Sequence, residues 1–280
     1  MARWTVDAPM ALEFDEVSSL KVRLVGGTVA VLASDEAPSV VISDLTGRPI
    51  QVSHEDGVLT VTYEDLTWDG LLGWLRPQRH SAAITVTVPK GCPVQLGVVN
   101  AGAIVSGITA KTSVRSVSGN VTLDGVTGTV DANTVSGDIE AQGIGGRIGF
   151  NSVSGDLTLA DGSVGRLDAK TVSGRVTADI DLERDARLQV GTVSGAVAIR
   201  LPAETNAWVA LRSAAGRVQS EFGGLSSGRQ PGANTLNGQL GGGDGVGKLS
   251  VTTMSGQVTL LQRDEPGRVR QAASTPGGSR

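Results

Sequence analysis

Two histidines, one cysteine and 28 carboxylates are the residues from which acid–base, nucleophilic or metal chemistry would be built in this chain. His54 and His80 both fall in polar, turn-rich stretches and read as solvated loop histidines. Cys92, in Lys90-Gly-Cys-Pro, has no activating base beside it and reads as a small buried hydrophobe. A lone cysteine excludes a disulfide framework and an all-cysteine zinc site. Glycoside hydrolysis needs two convergent carboxylates about 5–10 Å apart. Asp124 and Asp161 fall near strand ends or turns, and Asp168 falls near Asp131 in an adjacent outward column. So many acids on a repeating frame produce such pairs by chance. No aromatic sugar platform accompanies these pairs in the repeats, where only Phe150 and Trp208 are large rings, with Phe222 just after. The reading assigns no catalytic residue, no cofactor and no metal, and the chain is not read as an enzyme.

Three further stretches invite a ligand. Gly242-Gly-Asp-Gly-Val-Gly-Lys248 matches the spacing of a phosphate loop, in which backbone N–H groups cradle phosphate and the lysine neutralises it. Leu249 stands where a Ser or Thr would hold Mg²⁺, and the flanking strand and helix are missing, so a flexible inter-coil loop is the better reading. Asp138 and Asp156 follow consecutive repeat glycines, one strand spacing apart. A hard cation such as Ca²⁺ would bridge them, or Arg175 would relieve them as a stacked ion pair; the ion pair is preferred. Finally, Trp68, Leu71, Leu72 and Leu75 fall at i, i+3, i+4 and i+7, with Trp74 widening the stripe. Gly70 and Gly73 weaken a helix there, so a compact loop competes. These five residues are either a cap folded over the stack or an anchor for a protein partner or a membrane surface.

The elements that would position these groups are set by a repeat. An apolar residue followed by Ser-Gly recurs at Ser118, Ser136, Ser154, Ser173, Ser194 and Ser255, with degenerate copies at Ala101-Gly102, Ala215-Gly216 and Asn237-Gly238. The steps run from 17 to 22 residues, with a mean of about 19. Two residues after each glycine stand Ile104, Val121, Ile139, Leu157, Val176, Val197, Val218, Leu240 and Val258, every one apolar. Val117, Val135, Val153, Val172, Val193 and Met254 precede the small residue. Apolar and polar positions alternate on either side, the period of a strand. So short a unit cannot bury its own apolar face and must stack on copies of itself. Corner glycines would supply a left-handed turn, and the serines a hydrogen-bonded ladder. The expected fold is an all-β, single-stranded parallel β-solenoid over 94–262, with the coils stacked in chain order and the Gly-rich segment 221–247 as a loop.

Residues 1–93 are strand-rich without the Ser-Gly register and read as a β-rich cap or irregular first coils. Residues 263–280 are polar and read as a disordered tail. Glycine, at 39 of 280 residues, is about twice its usual share, and aromatics are 3%. A net charge of −4 gives no global reason to bind nucleic acid. The start of the sequence lacks the apolar core of a signal peptide, and no run is long enough to span a bilayer. A cytoplasmic protein is expected, or a cell-surface one if a signal has been trimmed.

The Thr-Val-Ser-Gly-Asp-type repeat, Thr-Val-Thr-Val-Pro at 85–89 and Met-Ser-Gly-Gln-Val-Thr-Leu-Leu at 254–261 resemble the bacterial "putative adhesin" β-strand-repeat family, common in actinobacteria. The resemblance implies a β-solenoid without catalytic residues. The expected function is a non-enzymatic scaffold or interaction module that presents a rigid repeat surface to a protein partner. Two alternatives are self-assembly into filaments through an uncovered terminal coil at Leu249–Leu260, as in bactofilin-like solenoids, and a carbohydrate-active β-helix enzyme.

Overall fold

The computed structural model describes residues 2–63, 80–230, 232–242 and 246–263. Their regular elements are all strands. The first eight are β1 (Ala2–Val6), β2 (Met10–Glu13), β3 (Ser19–Ala33), β4 (Ser39–Thr46), β5 (Ile50–Glu55), β6 (Val58–Tyr63), β7 (Ser81–Val88) and β8 (Val94–Ser106). The repeats supply β9 (Thr112–Ser116), β10 (Val121–Asp124), β11 (Thr129–Thr134), β12 (Ile139–Gln142), β13 (Gly145–Ser152), β14 (Leu157–Thr171) and β15 (Val176–Thr192). There follow β16 (Val197–Pro202), β17 (Ala207–Ser213), β18 (Val218–Ser220), β19 (Ser226–Gln230), β20 (Ala233–Leu240), β21 (Gly247–Thr253) and β22 (Val258–Arg263).

Each coil gives one strand to each of two ladders, a short third run joins β13, β14 and β15 through Gly145-Gly146, 162–164 and 180–182, and the core lies inside. The first ladder runs β1, β5, β6, then the first halves of β3 and β8, then β9, β11, β13 and the second halves of β14 and β15. It continues through β21, β17, β20 and β19. The second runs β2, β4, β7, the second halves of β3 and β8, then β10, β12, the first halves of β14 and β15, β16, β22 and β18. The central pairings are parallel, while β1, β2, β4, β5, β19 and β20 pair antiparallel towards the two ends. The chain is an all-β parallel solenoid. Alternate residues point inward, so Val121, Ile139, Leu157, Val176, Val197 and Val258 are buried in one column.

Three expectations are corrected. First, the coils do not stack in chain order. β21 lies between β15 and β17, and β22 between β16 and β18. The coil at Leu249–Leu260 is therefore internal and has no free edge from which to polymerise. Second, the segment 221–247 is not simply a loop, since β19 and β20 form an antiparallel hairpin whose β20 covers the edge of β17. Asn237-Gly238 lies inside β20, not at a corner. Third, Val121 pairs with Ala103 rather than Ile104. This one-residue offset turns Ile104 outward, 48% exposed, and puts Ala103 in the core.

The corner glycines also act otherwise than expected. Gly119, Gly137, Gly155, Gly174, Gly195, Gly216 and Gly256 do not have positive φ. They are needed because a Cβ on Gly155 would sit 2.1 Å from the carbonyl oxygen of Gly137, and one on Gly195 1.8 Å from that of Gly174. The left-handed turns lie at the opposite corner, at Gly107, Gly125 and Gly143.

Charge fastens the intercalated coil. Asp179 of β15 pairs with Arg200 of β16 and, at 3.2 Å, with Arg263 of β22, which also pairs with Asp181. The hydrogen bond from Arg200, its charge and that of Arg263 outweigh burial and hold the Asp179 carboxyl below its ordinary value.

Two predictions follow from this packing. Gly155→Ala should cost about 3 kcal/mol in urea unfolding, the upper part of the overpacking range, because the obstacle is backbone. Gly191→Ala, which meets nothing within 4 Å, should be neutral or stabilising by up to about 1 kcal/mol. The second concerns pH. A lowered folded pKa gives stability that is present above the ordinary Asp value of about 3.9 and lost as pH falls through the folded value. Asp179→Asn should thus lower the urea midpoint at pH 7, and the gap from wild type should close in acid.

Candidate functional site

Each corner is built from a hydroxyl residue, an apolar residue, a small residue and glycine. The hydroxyl turns inward, and its oxygen accepts the glycine N–H three residues on: Thr134 from Gly137 at 2.9 Å, Ser152 from Gly155 at 2.8 Å, Thr171 from Gly174 at 3.0 Å. Thr192, Ser213 and Thr253 repeat the contact. The small serine reaches back one coil and donates to a carbonyl, as Ser136 does to Val117 at 3.2 Å. These bonds hold the apolar corner residue outward. Val135, Val153, Val172, Val193 and Met254 are 44–62% exposed and form one stripe, with Met254 following Val193 across the intercalated coil. Four strand spacings make it about 19 Å long.

Beside the stripe, the residues after the glycines form a carboxylate–amide ladder rather than an ion pair. Asn120 Oδ1 accepts the Asp138 N–H at 3.1 Å, Asp138 the Asp156 N–H at 2.9 Å, and Asp156 the Arg175 N–H at 2.7 Å. The expected Asp156–Arg175 ion pair is replaced by this backbone contact. Each carboxylate accepts one amide N–H from the next coil.

On the outer face of the first ladder a second column runs through Thr129, Arg147, Arg166, Arg187, Lys248 and Trp208, partners across successive strands. Lys111, next to Thr112, extends it by a rung. Every member stands eight residues before a corner glycine, a signal present in the sequence outside the columns that flank Ser-Gly. Arg166 pairs with Asp168 at 2.6 Å and Lys111 with Asp131 at 3.7 Å. Among the described residues, no carboxylate lies within ion-pair distance of Arg147, Arg187 or Lys248. Trp208, whose partner on the other side is Gln239 of β20, is 52% exposed. Beside it is a shallow cavity of about 480 Å³ lined by Trp208, Ala210, Asn237, Gly238, Lys248 and Ser250. At the other end, Lys21, Arg23, Gln95, Lys111, Ser113 and Arg115 border a groove of about 310 Å³.

The other sequence candidates separate. His54 is not a solvated loop residue. It lies in β5, its ring 5.3 Å from that of Phe14 and its Nε2 buried. His80 accepts the Arg48 N–H at 3.3 Å, and its ring lies 5.9 Å from that of Tyr63. Cys92 is buried, and burial pushes its thiol up to about 11. Asp131 and Asp168 occupy the same column, two strands apart with Gly149 between them, and each pairs with a cation. Among the described residues, no group of three or more His, Cys, Asp or Glu could hold a metal ion. Trp68, Leu71, Leu72, Trp74 and Leu75 lie outside the described residues, as do 243–245 of the phosphate-loop match and residues 264–280.

A family model described as Toastrack DUF4097 matches residues 17–261, almost the whole of both ladders. The chain belongs to that family. The Toastrack chain is also similar to crystal structures described as a putative lipid binding protein from Parabacteroides distasonis and a putative adhesin from Bacteroides fragilis. The first is 15% identical and covers 92% of this chain and 98% of its own, with a TM-score of 0.46. The second is 11% identical and covers 91% and 97%, again with a TM-score of 0.46. A putative cell adhesion protein from Clostridium sporogenes covers 91% and 100% at 10% identity, with a TM-score of 0.30. A comparison with curated proteins found no match.

In the Toastrack corner, Asp156→Asn keeps the accepting oxygen and should leave stability within about 0.5 kcal/mol, with or without added Ca²⁺. Asp156→Ala removes the acceptor for the Arg175 N–H and should cost about 1 kcal/mol. Urea unfolding of both variants, with and without the metal, checks the pair.

Proposed function

We propose that this Toastrack protein is a non-enzymatic, adhesin-like display module that presents a rigid repeat surface to a protein partner. The observation that carries the reading is the corner stripe of Val135, Val153, Val172, Val193 and Met254, exposed over consecutive coils while the residues on either side of each are tied to backbone. Scattered exposed valines are ordinary. A continuous apolar row on a frame this stiff is the kind of surface that binds. The structure has no helix long and apolar enough to cross a membrane among its described residues. The apolar segment bearing Trp68 and Trp74 is a second anchor in this reading, joined to β6 and β7 at its two ends.

The test is affinity capture from the native cell with wild type, Val153→Ser/Val172→Ser and Trp68→Ser/Trp74→Ser. Circular dichroism confirms the fold, and light scattering the size. A partner held by wild type and lost by the valine variant, with the fold intact, is the expected outcome. An identical partner set for wild type and both variants overturns the proposal. Cell fractionation adds the compartment, since recovery from the cytoplasm fits a scaffold and recovery from the surface fits adhesion.

A further inference from the structure

The column eight residues before the corner glycines is hard to explain as architecture. Arg147, Arg166, Arg187 and Lys248 are direct neighbours across four strands, about 4.8 Å apart. Like charges directly opposite one another destabilise a sheet. Arg166 has Asp168 as a carboxylate partner and the Glu183 carboxylate lies against Gly165 beside it, but among the described residues no carboxylate is within ion-pair distance of Arg147, Arg187 or Lys248. Asp185, two residues before Arg187, stays outside ion-pair distance, and Gln189 and Ser250 in the next column are neutral. In a chain of net charge −4, this concentration of cations on one face is local and only partly compensated. Solvent and salt screen it only in part.

Trp208, the exposed ring of the repeats, follows Lys248 in the column, with Gln239 of β20 beyond it. A shallow, almost wholly apolar cavity opens beside the ring over the small Ala210, with Asn237 and Ser250 among the residues at its border. A flat apolar face next to hydrogen-bonding side chains suits a sugar ring, which offers C–H groups on one face and hydroxyls at its edge. The cations at strand spacing suit acid groups recurring along a linear polymer. We propose that the face formed by Arg147, Arg166, Arg187, Lys248 and Trp208 binds a linear anionic polysaccharide running along the stack axis. The acid groups lie on the cation rungs and one sugar ring lies on Trp208. A single ring is too little for a single-stranded nucleic acid, whose successive bases need successive platforms. The site lies on the outer ladder face and is independent of the corner stripe.

The test uses polygalacturonate as the probe and neutral dextran as its control, with titration calorimetry over a range of salt. Wild type should bind polygalacturonate and not dextran, more weakly as salt rises. Arg147→Gln/Arg187→Gln should weaken binding about tenfold or more and flatten the salt dependence. The same variant without ligand should melt at or above the wild-type temperature, since it removes repulsion. Trp208→Ala should weaken polygalacturonate about fivefold while leaving inorganic polyphosphate within about twofold, because only the sugar stacks. Equal binding of dextran, or unchanged affinity in the arginine variant, overturns the proposal. Tighter binding of single-stranded DNA or of anionic lipid vesicles through these residues also overturns it, by reassigning the face. Partner capture through Val153 and Val172 should be untouched by these substitutions, so the two readings fail separately.

Discussion

Between neighbouring coils there is no room for one carbon atom at the corner. Where Gly155 passes the carbonyl of Gly137, or Gly195 that of Gly174, the backbones are as close as backbones can come. Much else follows from that contact. It brings the strands on either side into hydrogen-bonding register, it holds the inward hydroxyl against the next glycine amide, and it forces the residue between hydroxyl and serine to face water. A β-solenoid has no local stabilisation to spare, because each coil makes its bonds with another coil. The tightest point of the stack therefore tolerates the least change.

Those outward columns divide by geometry. At the corner the chain turns sharply, so side chains there splay apart and a row of single valines stays exposed. On the flat of the ladder, side chains stand side by side at strand spacing, and chemical identity adds up from rung to rung. Three arginines and a lysine in a row make a field that none of them makes alone. The carboxylates of Asp138 and Asp156, at similar spacing, differ in that each also accepts a backbone amide of the next coil.

Much of the fold was legible because burial in a stack leaves a period. The columns at two residues after glycine mark the interior, and the small residues mark the corners. What the period does not record is which coil sits on which. The corners at Val193-Ser-Gly and Met254-Ser-Gly are chemically equivalent to their neighbours, so the position of β21 and β22 inside the stack left no trace in spacing. The first coil misled differently. Ala101-Gly102 imitates Ser-Gly, but Ala101, not Gly102, lies under Gly119, and that shift of one residue reversed Ile104. The cation column was present in the sequence at a fixed offset, yet its members look like ordinary surface arginines until the register places them on one line.

The threading of β21 and β22 between coils made before them has a consequence for biosynthesis. As the polypeptide leaves the ribosome, β17 and β18 emerge well before the strands on which they finally rest. Growth of the stack from the amino-terminal side can proceed coil by coil as far as β16 and must then wait. Until β21 and β22 appear, β17 has β20 on one side and nothing permanent on the other, with an apolar edge open to any passing strand. A message truncated between codons 220 and 247 would yield a product that can build most of the solenoid and never close it. Only a chain translated through residue 263 supplies the strands that join β15 to β17 and β16 to β18.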